Sequence, residues 1–271
     1  MLVTDVVDEW IKCQSNWMYL QPIFDSPDIM GQLPSEATKF KKVDLVWKLV
    51  IKDTKVVPNV LKACTKEGLY ENFQQANANL EEIQKGLADY LEAKRLKFAR
   101  FFFLSNDEML EILSQTKEVE MVRPHLKKVF ENMADLEFRQ PAKSIHAMFS
   151  SEGEKIEFSE PVYPKIDRKD KNVEDWMGEV EMMMVLSVKR VLLHSVDDYP
   201  QRERNQWCMS HPGQCVLNGS QIWWTKDCET AINTEGHPGV AKFAKTLNKQ
   251  LLTTVINTNN SHNRLHWSDR N

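Results

Sequence analysis

The sequence is short of the residues that punctuate small-stranded folds. It has nine glycines in 271 residues, and its longest stretches without Gly or Pro are helical in length, which argues against a fold of many short strands. No apolar run approaches the ~20 residues that would span a bilayer as a helix. The first ten residues, MLVTDVVDEW, carry acids where a secretory leader needs bases. Five cysteines (Cys13, Cys64, Cys208, Cys215, Cys228) are an odd set, so reduced thiols in the cytosol are expected, and the sequons at Asn218 and Asn259 then carry no meaning. Phosphate-binding and catalytic signatures are also missing: the sequence has no G-x-x-x-x-G-K-[ST], no G-x-G-x-x-G, no H-E-x-x-H and no G-x-S-x-G. The seven histidines lie scattered, without a paired acid or cysteine at catalytic spacing. An enzyme reading therefore has nothing to stand on. The net charge of -4 gives no global case for nucleic acid or an anionic membrane, and leaves only local basic patches open.

What is present is helical periodicity, in a chain long enough to bury about three quarters of its unfolded surface. Residues 3 to 24 place Val6, Trp10, Trp17, Leu20 and Phe24 on one face, closed by Pro22 and the Asp25-Ser26-Pro27 turn. Residues 36 to 52 repeat the pattern with Phe40, Val43, Val46, Trp47 and Val50. Pro58 bounds a short element with Val60 and Leu61. The longest run, 69 to 98, aligns Leu80, Ile83, Leu87, Tyr90 and Leu91. Gly86 costs that helix up to ~1 kcal/mol relative to alanine, and a close helix–helix contact is one compensation.

The stretch FARFFFLSNDEMLEIL, 98 to 113, then raises a choice between the lip of a catalytic pocket and a buried joint. Ser105-Asn106-Asp107-Glu108 fits the capping box S-x-x-E, so a helix carrying Met109, Leu110, Ile112 and Leu113 should start there. Asp107 and Glu108 are then acids of a first turn rather than catalytic groups. Phe98, Phe101, Phe102, Phe103 and Leu104 are too apolar for an exposed connector and are expected to be a buried helix–helix joint, with Ser105 and Glu108 fixing its exit. Pro124 is expected in the first turn of a further helix from His125 to Phe138, with His125 a surface or capping residue.

Residues 144 to 163 change period. Ile145, Ala147 and Phe149 alternate with His146 and Met148, and Lys155-Ile156-Glu157-Phe158 alternate again after Gly153. That is a β-hairpin, which either projects as a contact device or lies tucked on the body. The charged stretch 165 to 172 is expected to be exposed, with Asn172 capping a helix to about Val196 that carries Trp176, Val180, Met183, Met184, Val188, Val191 and Leu192. Core filling is the commoner use of such methionines, although a methionine-rich face also suits adaptable binding. Cys208, His211, Cys215 and Cys228 match no common zinc spacing and read as ordinary thiols and an ordinary histidine. Further helices are expected from Gln221 towards Ile232 and from 240 to 256, separated by a loop at 236 to 239, with residues 257 to 271 disordered.

These residues also carry a resemblance. GLADYLEAKRLKFARFFFLSNDEMLEILSQTK, the following VRPHLKKVFENMADLEF, and the entry EWIKCQSNWMYLQPIFDSPDIMGQLPSEATKFKKVD resemble the linker region of dynein heavy chains. MFSSEGEKIEF, VEDWMGEVEMMM and HPGQCVLNGSQIWWTKDCETAI follow in the same order, so the likeness runs from about residue 5 to 256. SPDIM and LPSEATKF resemble the axonemal branch. Ala99 departs from the pattern, standing where the family usually has proline, and residues 257 to 271 resemble nothing in it.

The resemblance implies a mainly α fold, an elongated helical-bundle array with one small β-hairpin insertion. It would comprise a helical subdomain over 1–140, the hairpin over 141–165, a second helical subdomain over 166–256 and a disordered tail. It implies a mechanical lever that bends and straightens over a ring of AAA+ modules, with ATP and magnesium bound in that ring and no cofactor in this chain. Its partners would be the ring in cis and other dynein subunits, with microtubules reached only indirectly and neither nucleic acid nor membrane bound. Its place would be the cytoplasm, the cytoskeleton and the ciliary or flagellar axoneme. Ile145, Phe149, Gly153, Ile156 and Phe158 of the hairpin become the candidate ring contact. A chain that starts inside the linker and stops before the first AAA+ module would neither hydrolyse ATP nor generate force alone. The alternative is a stand-alone helical binding module that associates with dynein subunits.

Overall fold

The computed structural model describes residues 3–114, 119–141, 143–166 and 169–261. The chain is mainly α, as the sequence led us to expect, and the described residues add a small three-stranded antiparallel sheet and a two-stranded one. It divides into two compact units: Met1–Phe130 with Ile166–Asp175, and Glu131–Lys165 with Trp176–Asn271.

The first unit is built on three long helices. α1 (Val3–Phe24) and α3 (Pro34–Val56), joined through the short α2 (Pro27–Gln32), both pack on α5 (Leu69–Lys97); α4 (Val60–Cys64) lies between α3 and α5 in sequence. The periodic residues identified in the sequence supply the core: Val6, Leu20 and Phe24 from α1, Phe40, Val43 and Trp47 from α3, and Leu80, Ile83, Leu87 and Leu91 from α5 are all buried. Ring pairs cross the seams, with Trp17 stacked on Trp47 at 5.5 Å and Phe24 on Phe40 at 5.1 Å between centroids. Such pairs add about 1 kcal/mol each beyond their area. Gly86 of α5 has its physical reason here: a Cβ would lie 2.9 Å from the Glu36 side chain of α3. The seam is too tight for alanine without displacement of Glu36.

After α5 come a 3-10 segment (Ala99–Phe103), α6 (Asn106–Ser114), a second 3-10 segment (Val119–His125) and α7 (Leu126–Val129). The helix expected from His125 to Phe138 is not formed. It stops at Val129, and Met133–Arg139 is a strand, β1. Met133 and Leu136 are three apart and both buried, which satisfied the helical period. A register shift between Met133 and Asp135 brings both to one side of an extended strand, and pairing with β2 supplies the backbone hydrogen bonds. Of the surface or capping position expected for His125, the capping place holds, at the N-cap of α7 though without a side-chain cap bond, and the surface one does not: it is buried, with Nε2 3.4 Å from the Glu111 carboxylate.

The sheet has the order β1-β2-β3, all antiparallel, with β2 (Ser144–Ser150) central and β3 (Lys155–Val162) on the far side. The expected hairpin is β2–β3. It turns at Gly153, whose φ of 84° suits glycine, with Gly153 N bonded to Ser150 O at 3.1 Å. Two-residue strands β4 (Lys165–Ile166) and β5 (Lys169–Asp170) follow in the charged stretch; residues 167 and 168 lie outside the described residues.

The remaining helices are α8 (Val173–Asp198), α9 (Arg204–Ser210), α10 (Gly213–Glu235) and α11 (His237–Ser261), with a 3-10 turn at Tyr199–Gln201. Asn172 meets the first turn of α8, where its side-chain amide donates to Asp175 Oδ2 at 3.0 Å. α10 starts eight residues before the expected Gln221: Pro212-Gly213 is its N-terminus rather than a free turn, and the helix continues through Asn218-Gly219-Ser220. The expected loop before α11 shrinks to Gly236. α11 continues to Ser261, past the expected start of a disordered tail, and residues 262–271 lie outside the described residues. No helix among the described residues is long and apolar enough to cross a membrane.

Candidate functional site

The first candidate is the phenylalanine joint. α5 ends at Lys97 because Phe98 turns extended (φ −133°, ψ 96°). The backbone then makes one tight 3-10 segment and leaves it at Leu104, extended again. Phe98, Phe101 and Leu104 are buried. Phe98 packs edge-on to Phe101 at 5.0 Å and tilts against Phe130 at 6.3 Å. The Arg100 guanidinium lies 5.0 Å over the Phe130 ring, and Arg95 Nη2 donates to Leu104 O at 3.2 Å and to Asn106 Oδ1 at 2.7 Å. Two rings depart from expectation: Phe102 is 54% and Phe103 67% exposed. A 3-10 turn repeats every three residues, so Phe98, Phe101 and Leu104 share one side and the two intervening rings must face away.

The capping box at the exit of the joint forms in both directions. Glu108 N donates to Ser105 Oγ at 3.3 Å, and Ser105 N donates to Glu108 Oε2 at 3.0 Å. Lys128 also donates to Glu108. The Lys128 bond, helped by the Ser105 amide, holds the Glu108 carboxyl down at about 2. A second polar feature lies at this same C-terminal end of α5, where Lys94 Nζ lies 2.7 Å and Lys97 Nζ 3.4 Å from Oε1 of Glu174. Glu174 is only 2% exposed at its side chain. Nothing in the sequence marked Glu174 as different from any acid in a first helical turn.

The hairpin is the second candidate, and it is fastened. Glu154, beside the turn, accepts from Gly213 N at the start of α10 at 2.8 Å. Arg190 Nη2 of α8 donates to Glu157 O at 2.7 Å, and Ser159 N donates to Ser187 Oγ at 2.9 Å. Ile145 and Phe158 are buried, while Phe149 and Ile156 are half-buried and Gly153 is exposed. Lys155 lies 2.6 Å from Glu137 and 5.9 Å over the Phe149 ring; the Lys155 bond, with Arg139, lowers the Glu137 pKa. Of the five hairpin residues singled out, only Phe149, Gly153 and Ile156 have surface to offer a partner.

The third feature escaped the sequence. Trp207 of α9 is fully buried, and its Nε1 donates to Ser195 O at 2.7 Å, while Trp223 Nε1 of α10 donates to Val196 O at 2.8 Å. Tyr199 meets Trp207 edge-on at 5.0 Å and stacks on Trp223 at 5.3 Å, with Arg204 4.7 Å over Trp207. A Cβ at Gly219 would lie 3.0 Å from Trp207 Cζ2, so the breaker in the middle of α10 leaves room for the indole. His211 Nε2 is bonded to Asp198 Oδ2 at 2.9 Å, and that bond, with Arg202, keeps the Asp198 carboxyl below the usual range. Cys215 is buried and Cys208 and Cys228 are half-buried, all as free thiols. Among the described residues no group of three metal-capable side chains gathers.

These features are packing and fastening devices. The family described as Dynein heavy chain, N-terminal region 2, matches residues 1–195. This chain belongs to the dynein heavy chain family. It is 46% identical over 249 residues to human Dynein axonemal heavy chain 12, covering 92% of this chain and 8% of that protein. It is 43% identical over 253 residues to mouse Dynein axonemal heavy chain 3, covering 93% and 6%. For mouse Dynein axonemal heavy chain 1 the identity is 40% over 254 residues, covering 94% and 6%. The chain thus spans less than a tenth of the length of these relatives. Ala99, which departed from the resemblance, falls on the first residue of the 3-10 segment, just after the extended Phe98, a position type that accepts proline.

Proposed function

We propose that this chain is a segment of the linker of an axonemal dynein heavy chain. In that role it is a non-catalytic mechanical element that carries force between an AAA+ motor ring and cargo in a ciliary axoneme. The observation that carries the reading is the match to the dynein N-terminal region over residues 1–195. The packing supports it. A lever transmits force only if its joints resist bending, and the joint at Phe98 combines interlocked rings, a reciprocal capping box and a buried ion pair within one compact unit. ATP and magnesium belong to AAA+ modules elsewhere in the longer motor. Phe149, Gly153 and Ile156 are the ring-contact residues, and the remaining two hairpin residues hold the hairpin's own core.

The test uses a full-length axonemal motor carrying this segment. Phe149→Ser with Ile156→Ser should slow microtubule gliding and reduce the nucleotide-dependent change in energy transfer between dyes on linker and ring. Unchanged gliding and energy transfer would remove the hairpin from the contact. If replacing the whole segment with an unrelated helical spacer left the stroke intact, the lever reading itself would fail.

A second reading, a stand-alone binding module, draws on the apolar stripe of α8, where Met182, Val185, Leu186 and Leu193 are all exposed. Concentration-dependent association of the 271-residue chain in sedimentation equilibrium would favour it, and a monomer at every concentration would count against it.

A further inference from the structure

α3 carries a surface that neither the packing nor the lever reading uses. Its inner side, Phe40, Val43 and Trp47, is buried, which fixes the rotation of the helix about its axis. At 100° per residue the opposite side is then Lys41, Leu45, Lys48, Leu49, Lys52 and Val56. Leu45 is 64%, Leu49 62% and Val56 77% exposed. All the lysines on this side are exposed too, with Lys42 and Lys55 on its flanks. Only Lys48 is answered on the helix, by Asp44 at 2.7 Å, and the one acid at the edge, Asp53, is taken by Lys66 at 2.9 Å. Among the described residues Lys41, Lys42, Lys52 and Lys55 enter no ion pair. A chain whose net charge is -4 therefore presents an apolar rail edged by lysines on one outward helix face.

We propose that this face of α3 is a docking site for an acidic amphipathic helix of a protein partner. Leu45 and Leu49 are four apart and Val56 lies seven further on, the spacing at which a second helix lays its own apolar residues along a seam. The lysines flank that seam where glutamates or aspartates of a partner would meet them. Complementary charge of this kind speeds encounter and fixes register, while the aliphatic rail supplies the dehydrated contact. A nucleic acid would waste the rail, and the face offers no arginine for bidentate phosphate contact. A lipid surface would find three aliphatic side chains and no aromatic, on a helix that cannot roll further in. The inference is independent of the lever reading, because it concerns what α3 binds and not what the chain transmits.

The test titrates the intact 271-residue chain with a fluorescent synthetic helix of about 20 residues bearing leucines along one face and glutamates beside them. Its control carries lysines in place of the glutamates. Fluorescence anisotropy should show the glutamate peptide binding at least about tenfold tighter than the control, and weakening as salt rises from about 0.05 to about 0.3 M. Lys41→Glu with Lys42→Glu and Lys52→Glu should abolish the preference. Leu45→Ser with Leu49→Ser, which keeps every charge, should weaken binding at least about fivefold. These are all exposed positions, and circular dichroism confirms that each variant folds. Equal affinity for the two peptides, or a preference that survives the charge reversal, would overturn the proposal. So would tighter binding to phosphatidylserine vesicles than to the glutamate peptide, which would reassign the face to a membrane.

Discussion

The chain solves the same problem twice, in two chemistries. At Phe98 a long helix ends and the chain turns into the next one through rings packed on rings, with polar groups at the rim. At Trp207 another long helix, α8, ends and the following helices fold back, but here each indole also donates to a carbonyl in the last turn of α8. The first joint has apolar residues to spare and leaves two of its phenylalanines outside. The second is tighter: Trp207 is fully buried, and a Cβ at its neighbour Gly219 would press on the indole at 3.0 Å. A joint whose rings pack apart from its polar rim tolerates loss at its edge, whereas one whose buried rings are themselves the donors loses area and hydrogen bond together when a single side chain goes.

The sharpest test of that contrast is Trp207→Ala. It removes a filled volume and leaves Ser195 O without its donor, and should cost about 4–5 kcal/mol in urea unfolding. Trp207→Phe keeps much of the volume and should recover part of that loss but not all. In the first joint, Phe101→Ala should cost about 3–4 kcal/mol, while Phe103→Ala should stay within about 0.5 kcal/mol. Equal costs at 101 and 103 would break the reading of the 3-10 segment as one-sided.

Glu108 offers a pH test of the rim. Its folded-state carboxyl, held by Lys128 and Ser105, titrates at about 2, against 4.5 when unconstrained. A depressed carboxyl stabilises the fold above the upper value and loses that contribution as pH falls through the lower one. The stability of the wild type should therefore fall between those two values in a way that Glu108→Gln does not, as followed by denaturant midpoints across the range. A small gain is expected from Ala99→Pro, which places a ring on the first residue of the 3-10 segment. It should raise stability by about 0.4–1 kcal/mol by restricting the unfolded chain, and a fall in the midpoint would show that Ala99 does not hold a proline-compatible φ.

Much of this fold can be read from the residue pattern. α1, α3 and α5 follow their apolar periods, and Ser105 and Glu108 announce the start of α6, because those signals are local. β1 was hidden: Met133 and Leu136 fit a helix by spacing, and it is pairing with β2, which nothing within residues 133 to 139 announces, that makes the strand. Phe102 and Phe103 looked buried because composition says that a ring is apolar but not which way a 3-10 turn aims it. The start of α10 was missed because Gly219 reads as a breaker until Trp207 is seen lying over it. Glu174 could not be told from its neighbours, since what sets it apart is the approach of two lysines from a helix far back in the chain. The joint's position was legible from the sequence; its facing, its ion pair and the fastening of the hairpin were not.

The indole caps on α8 also bear on the order of synthesis. Ser195 O and Val196 O belong to the final turn of α8, whose carbonyls have no partner within the helix. Their donors arrive 12 and 27 residues later. A ribosome adding about 5–20 residues per second would thus expose an unfinished helix end for about a second or more before Trp223 could close it. During that interval the end of α8 is open to any other donor, water first.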